Sequence, residues 1–542
     1  MKDFLKRIDI DEKADLLVQM LMDLALLLIV LGMIFRGNPY FFVLSLVLLL
    51  IHNVIRAFEQ INRQIIFLLF NFTFFFFLLT RIFVTAFFRV DYEYVGLFEL
   101  GFDRSIATNI VLFISLSLFS LTFIYQLVSE PSTQEGKGKV GSGLVYALMD
   151  RLRGRFPWLN TSKRDQARSA NKTGGNKKGL FAFAETFSAE DFRLVLQKIA
   201  LLVFIVTIFA HIFYLMKELE YIRSVGYRQS YILKDWQSPL YRLMDMIGRM
   251  SFSAYFVYLA SLPKKSHVLV ASVPFLAASF IQLLQGLRNP IALNLLIVVI
   301  YFVLRSKSRR LFKKATILYM LIGAVLVVLF IKVGDSRGTE KITITDSLFN
   351  SLFRFFYNQG VTARTIGNAQ LFSEWIPYKL YSFGDIIDFL KFSVGGLFQS
   401  DLVRPVGQSV QVVQQTHQLA HILSFLQTPF EYLNQGLGTG SSFIAELFVD
   451  FSVPGIIIGS GFYGLIIHGF RSMFSSNNLL NRACMLIACR NFLFTPRASY
   501  SFFLTSFFEK AQIASLVLLM VSALLVTLFL RKRAGGRADK QA

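Results

Sequence analysis

About twelve unbroken apolar stretches approach or reach the length needed to cross a lipid bilayer, and they leave this chain one way to fold. They lie near 17–35, 40–56, 65–88, 107–128, 195–217, 248–262, 267–285, 289–305, 315–332, 442–468, 482–495 and 510–530; the sixth and eleventh are the shortest. Hydrocarbon offers backbone N–H and C=O groups no water to bind, so apolar runs of this kind must satisfy those groups as helices. Hydrophobic residues make up 54% of the chain, and mean hydropathy is +0.54, which excludes an ordinary soluble domain. The expected fold class is all-α, a polytopic transmembrane helical bundle of about twelve spans. The third stretch contains Phe74-Phe75-Phe76-Phe77 and is apolar all round, as suits a helix between lipid and other helices.

Charge then orients the bundle. Lys and Arg exceed Asp and Glu by 56 to 34, a net charge of +22. In a soluble protein that would suggest nucleic acid; here cytoplasmic loop charge explains it, and no nucleic-acid partner is expected. The connector 129–194 carries Lys137, Lys139, Arg151, Arg153, Arg155, Lys163, Arg164 and Arg168 among scattered Gly, Ser and Asn. Such a segment reads as a basic, flexible cytoplasmic loop. Lys264-Lys265, Lys307 to Arg310, and Arg531-Lys532-Arg533 fall on the same side, whereas Asp91, Glu93, Glu99 and Asp103 fall outside. Both termini are thus expected in the cytoplasm. The apolar run after the charged N-terminus reads as a retained span and not a signal peptide. The organisation expected is spans one to four over 1–128, the basic loop 129–194, and spans five to nine over 195–332 with an outer loop at 218–247. A large extracytoplasmic loop at 333–441, spans ten to twelve over 442–530 and a basic tail at 531–542 complete it. The two cysteines, Cys484 and Cys489, sit in an apolar stretch and can build neither a disulfide framework nor a zinc site.

The loop 333–441 is too long for a connector. It holds Arg337, Arg354, Arg364, Arg404, His417 and His421. Arg223, Arg228, Arg242, Arg288 and Arg497 also belong to outer loops or outer helix ends, against the topological bias. Singly, each can snorkel or pair with lipid phosphates. Collectively they suit an anionic substrate, since the planar guanidinium presents a permanent charge and several donors to a pyrophosphate. Gly436, Gly438 and Gly440 alternate before Ser441-Ser442 and an apolar helix. Glycines allow close backbone approach, Ser442 is a candidate helix cap, and the free amides of a helix N-terminus attract phosphate. An ordinary loop-to-helix turn is the alternative; with no preceding strand and no P-loop lysine, a nucleotide site is not expected. Glu446 and Asp450 share a face of that helix. Either they pair with outer arginines, or Glu446 acts as a base or orients one. His417 and His421 stand four apart on a probable helix. They lack the further ligand of a metal site, so no metal and no cofactor are expected; His417 reads as a solvated surface residue and His421 as a base or hydrogen-bond donor.

Several segments resemble the Wzy-type polymerases of O-antigen, capsule and exopolysaccharide repeat units. Arg354-Phe355-Phe356-Tyr357-Asn358-Gln359-Gly360-Val361 and Leu419-Ala420-His421-Ile422-Leu423-Ser424-Phe425 are similar to family segments. So are Gly436 to Leu447, Gln285-Gly286-Leu287-Arg288-Asn289 and Phe494-Thr495-Pro496-Arg497. Ser452 stands where the family pattern has glycine. The resemblance covers spans five to twelve and implies an architecture like the GT-C-type membrane polymerases and ligases. It also implies a membrane glycosyltransferase of the bacterial plasma membrane whose active face is extracytoplasmic. Its donor would be a glycan on undecaprenyl pyrophosphate, its acceptor an incoming lipid-linked repeat unit, and its partners the bilayer and, as further candidates, a chain-length regulator and a flippase. By the same resemblance Arg288, Arg354, Arg364, Arg497, Gly438, Gly440 and Ser441 would bind pyrophosphate, with His421 and Glu446 catalytic. Two other readings stay open: a lipid-linked glycan ligase, distinguished only by its acceptor, and an oligosaccharide flippase, which should carry charged residues in mid-span.

Overall fold

The computed structural model describes residues 10–35, 38–88, 102–129, 190–226, 238–306, 348–399, 438–538 and most of 401–428, with a few isolated positions between. The described residues are helical throughout their ordered elements. Eight helices are long and apolar enough to cross a membrane. These include α1 (Ile10–Ile34), α2 (Tyr40–Glu59), α3 (Ile61–Phe88), α4 (Arg104–Ser129) and α5 (Glu190–Val225). After α6 (Pro239–Ala260) come α7 (Lys265–Leu284) and α8 (Asn289–Leu304). The outer segment forms the shorter helices α9 (Leu348–Gln359), α10 (Thr362–Leu371), α11 (Gly384–Asp388), α12 (Val410–Gln415) and α13 (Leu419–Gln427). The chain finishes with α14 (Phe443–Ser475), α15 (Leu479–Phe492) and α16 (Lys510–Ala538). Of these α7, α14 and α16 are the remaining three spans.

Of the twelve expected spans, eight are recovered as long apolar helices among the described residues, three more form shorter or more polar helices that run between the same two ends, and one lies outside the described residues. The first half of α6 carries Arg242, Asp245 and Arg249 and is more polar than the eight long helices, although its last residue, Ala260, reaches the same end as Arg482. Helix α8 has 16 residues, and α15 only 14 before Leu493 turns into a 3₁₀ segment at Thr495–Arg497. The expected ninth span, 315–332, lies outside the described residues apart from Val328 and Leu329.

Helix α3 is also more central than its apolar run suggested. Phe67, Phe70 and Phe74 are fully buried, and Phe70 stacks on Phe492 of α15 with centroids 4.8 Å apart. At Phe75–Leu79 the helix widens into a π turn. Polar pairing pins α2, α3 and α4 together: Asn53 donates to Asn71 Oδ1 (2.7 Å) and to Thr122 Oγ1 (2.8 Å), all buried. A buried amide without partners would cost several kcal/mol, so this network fixes the pairing. Helix α14 lies along α4, and α5 along α6. The remaining surface of α5 and α16 is apolar, with Phe209 and Phe529 among many exposed side chains, as a bilayer-facing surface should be.

The ends of the helices sort into two groups. At one end Arg482 of α15 donates to the carbonyls of Ala260 (2.7 Å), Ser476 (3.0 Å) and Asn477 (3.3 Å). Beside it Arg305 donates to Pro263 O (2.6 Å) and Tyr301 Oη (2.8 Å). By the Lys/Arg bias this is the end expected in the cytoplasm. The short helices α9 to α13 gather at the opposite end, around the first turns of α14 and the segment 495–507.

Candidate functional site

Four carboxylates organise the outer end. Glu446, in the first turn of α14, is 1% exposed. Its Oε1 accepts from Ser441 Oγ (2.7 Å) and its Oε2 from the Tyr500 amide (2.8 Å). Asp450, one turn on, points elsewhere: it accepts from the amides of Tyr381 (3.0 Å) and Ser382 (2.7 Å) and from Ser382 Oγ (2.6 Å). Asp385 accepts from Gln418 Nε2 (3.0 Å), Ser501 Oγ (3.3 Å) and Ser499 Oγ. Asp388 is fully buried and accepts from both the amide and Nδ1 of His417, each at 3.0 Å, with Arg404 Nη2 4.0 Å away. Carboxyl groups buried among donors of this kind hold loops in place through hydrogen bonds. Among the described residues neither Glu446 nor Asp450 is paired with an arginine; hydrogen-bond donors from the loops hold both.

Two further expectations are corrected here. His417 is not a solvated surface residue, and it does not share a helix with His421. Asp388 captures its backbone and ring, and Gln418 is extended (φ −108°, ψ 102°), so α13 begins only at Leu419. Ser442 does take the N-cap position of α14, but its side chain makes no capping bond, and its Oγ is buried without a partner. Ser441 is the serine that is used, on Glu446. Gly440 just before it has φ +76°, a left-handed conformation that glycine adopts without strain. Gly438 and Gly440 are both exposed at the turn, while 434–437 lie outside the described residues.

His421 is half-buried in α13. Burial, with Arg404 adding to it, lowers its imidazole below the usual histidine value against an opposing pull from Asp388. The ring is therefore neutral, and able to accept a proton, at pH 7. One turn further on, Ser424 Oγ accepts from the Thr439 amide of the glycine-rich turn (3.0 Å). A chain of bonds thus runs from the His421 helix through that turn and Ser441 to Glu446.

The arginines gather around α9 and α10. Arg497 donates to Gln359 Oε1 (3.2 Å) at the end of α9 and lies over Phe77, 5.8 Å from its centroid. Arg288, before α8, lies over Phe355 of α9 at 5.9 Å. Arg354 is exposed on α9 and Arg364 half-buried on α10. Arg223, Arg242 and Arg404 are exposed, whereas Arg228 and Arg337 lie outside the described residues. Arg81 of α3, which sequence reasoning passed over, is buried and donates to Tyr357 Oη (2.9 Å). It fixes α9 against α3.

Sequence reading also missed Asp385, Asp388, Lys379, Ser499 and Tyr500. Lys379 donates to the carbonyls of Val413 (2.9 Å), Gln414 (2.7 Å) and Thr416 (3.0 Å), closing the C-terminus of α12. Gly384 lets α11 approach it: a Cβ there would lie 1.9 Å from His417 O. Among the described residues, no group of three or more His, Cys, Asp or Glu is placed to share a metal ion.

The protein is thus a multi-pass helical membrane protein that concentrates its polar chemistry, cationic and carboxylate, at one end of the bundle. Its sequence matches the O-antigen polysaccharide polymerase Wzy family over residues 18–529, nearly the whole chain. The chain belongs to that family and is a membrane polysaccharide polymerase acting on lipid-linked repeat units in the bacterial inner membrane. Compared with curated proteins and with solved structures, it matches none.

Proposed function

We propose that the chain transfers a growing glycan from undecaprenyl pyrophosphate to a hydroxyl of an incoming lipid-linked repeat unit, on the extracytoplasmic face, with both termini cytoplasmic. The bond from the anomeric carbon to the pyrophosphate oxygen breaks, and that oxygen leaves with the electron pair. The acceptor oxygen bonds to the anomeric carbon and loses its proton. Charge develops on the leaving pyrophosphate, where preorganised cations stabilise a transition state most effectively. Arg288, Arg364 and Arg497 supply it, with Arg354 at the exposed edge. Gly438, Gly440 and Ser441 form the turn along which the phosphates approach.

His421 takes the acceptor proton. The observation that carries this assignment is the contrast between the two candidate bases. Both Glu446 oxygens are engaged, in a residue 1% exposed, whereas His421 is half-exposed and held neutral. Glu446 is then a positioning residue that holds Ser441 and Tyr500. Pyrophosphate is a good leaving group, so the chemistry asks for no metal.

The test is reconstitution of purified protein in lipid vesicles with lipid-linked repeat units. Wild-type protein should give a ladder of glycans. Arg364→Lys keeps charge but loses the bidentate fork, and should lower turnover at least tenfold if the contact is bidentate. Wild-type chain length and yield in that variant would remove Arg364 from the pyrophosphate site.

A further inference from the structure

A second polar space lies away from the carboxylate network. It is a half-open cavity of about 350 Å³ between α5, α6, α7, α8, α15 and the segment leading into α16. That volume is in the range of small-molecule sites. Its walls are unusual for the interior of an apolar bundle: His211, Glu218, Asp245, Arg249, Arg490 and Glu509 all line it. Six ionisable groups converging on one concave space make it a candidate ligand site.

The lining offers hydrogen bonds in both directions. Arg490 donates through Nε to Asn294 Oδ1 (2.8 Å) and through Nη1 to Asn491 Oδ1 (2.9 Å). A guanidinium has five N–H donors, so three of them have no protein acceptor among the described residues. Gln285 donates to Leu215 O (2.8 Å) and Glu218 Oε2 (3.1 Å), but its buried Oε1 has no partner, nor has His211 Nδ1. Arg249 is already neutralised by Asp245 at 2.9 Å. The cavity therefore presents unused donors and unused acceptors together. A phosphate only accepts, would leave Gln285 Oε1 unmet, and would face Glu218, Asp245 and Glu509. Sugar hydroxyls both donate and accept, and they satisfy such a lining from either side. Phe252, Phe275 and Tyr214 supply the apolar faces that sugar rings also need.

The cavity is joined to the carboxylate site by one short segment. The Tyr500 amide binds Glu446, whereas Ser506 lines the cavity. Only six positions of chain separate the two, so they lie within about 20 Å of each other even if that stretch were fully extended. We propose that this cavity is a saccharide-binding subsite that holds sugar residues of the lipid-linked repeat unit beside the reaction centre. The proposal rests on the transfer reaction proposed above. Gly248 shapes the space, since a Cβ there would come within 2.8 Å of His211 Cα.

Two measurements test it, in vesicles with the full chain. Gln282→Ala and Glu509→Gln alter the lining without touching the proposed catalytic groups. Each should raise KM for the lipid-linked repeat unit about tenfold, with turnover at saturation within twofold of wild type. Unchanged KM in both overturns the proposal. In a Cys484→Ser, Cys489→Ala background, Gln282→Cys should react with a small maleimide. The oligosaccharide freed from its lipid by mild acid should slow that reaction, and inorganic pyrophosphate should not. Protection by pyrophosphate alone, or by neither, overturns the saccharide assignment. Absence of any ladder from wild-type protein would instead sink the transfer reaction, whatever protects the cysteine.

Discussion

The two ends of the bundle are fastened in complementary ways, by cations on backbone carbonyls at one and by carboxyl groups on backbone amides at the other. At the end expected in the cytoplasm, Arg482 and Arg305 bind backbone carbonyls where helices stop and turn. At the other end, Glu446, Asp450 and Asp388 bind backbone amides of loops that fold over the helices. Cations at helix C-termini meet free carbonyls, and carboxyl oxygens meet free N–H groups, the backbone groups that helix ends and loops leave unpaired. The exception is the short α12, whose last carbonyls are closed by Lys379, with Lys391 on Gln415 O (2.8 Å). The comparison teaches that the outer carboxylates are structural first. It also separates them from the arginines around α9, which contact a ring and an amide oxygen and so present their charge in a different setting.

That division can be broken experimentally. The largest effect expected is on chemistry at the outer end: His421→Ala should reduce turnover on the order of 10²-fold or more while leaving thermal stability near wild type. A stability loss equal to that of the carboxylate variants would place His421 among the fasteners. Next, Glu446→Ala strands the Tyr500 amide and Ser441 Oγ, and should destabilise by about 1–3 kcal/mol as well as reduce activity. A calorimetric midpoint equal to wild type would contradict its positioning role. Arg482→Ala at the opposite end should lower the midpoint by a comparable amount, since it frees three carbonyls, but leave activity per folded molecule unchanged. Reduced KM or turnover in the folded fraction would show that the two ends are coupled.

Smaller effects sharpen the picture. Ser452 in α14 has φ 56° and ψ −150°, a region nearly restricted to glycine, at the kink before Pro454. Ser452→Gly should therefore raise the thermal midpoint, by an amount on the order of 1 kcal/mol; a fall would mean that the serine side chain repays the strain. The smallest effect is a shift in pH. Arg404 lowers the His421 pKa, so Arg404→Ala should raise it. Because the neutral ring is the base, activity is lost as pH falls through that pKa, and the acid limb of the pH–rate profile should move to higher pH in the variant. A limb that moves down, or stays, would remove either Arg404 or His421 from that role.

Much of this was legible in the sequence, though unevenly. Hydropathy located the long helices because apolar length is local information. It was less informative at α15, a helix of 14 residues ended by the turn at Thr495–Arg497. The glycine-rich turn, Glu446 and His421 stood out by residue type and position. Asp385, Asp388 and Tyr500 did not, since their partners are distant in the chain: Asp388 meets His417 at a separation of 29 residues, Tyr500 meets Glu446 at 54, and Ser499 meets Asp385 at 114. No periodicity encodes such pairs. Ser452 carried a readable signal, because a position that favours glycine marks a backbone conformation, and the chain adopts that conformation with serine.

The central claim is that the outer end performs glycan transfer, with His421 and the arginines around α9 and α10 acting on fasteners supplied by carboxylates. The most direct measurement is the size distribution of lipid-linked glycans in cells that make the repeat unit but lack a polymerase of their own. These cells would express wild type, His421→Ala or Arg364→Ala, each matched for the amount of folded protein in the membrane. The account predicts a ladder of many repeats from wild type that collapses to single repeats in both variants. A full ladder from either variant, or single repeats from wild type, would contradict it.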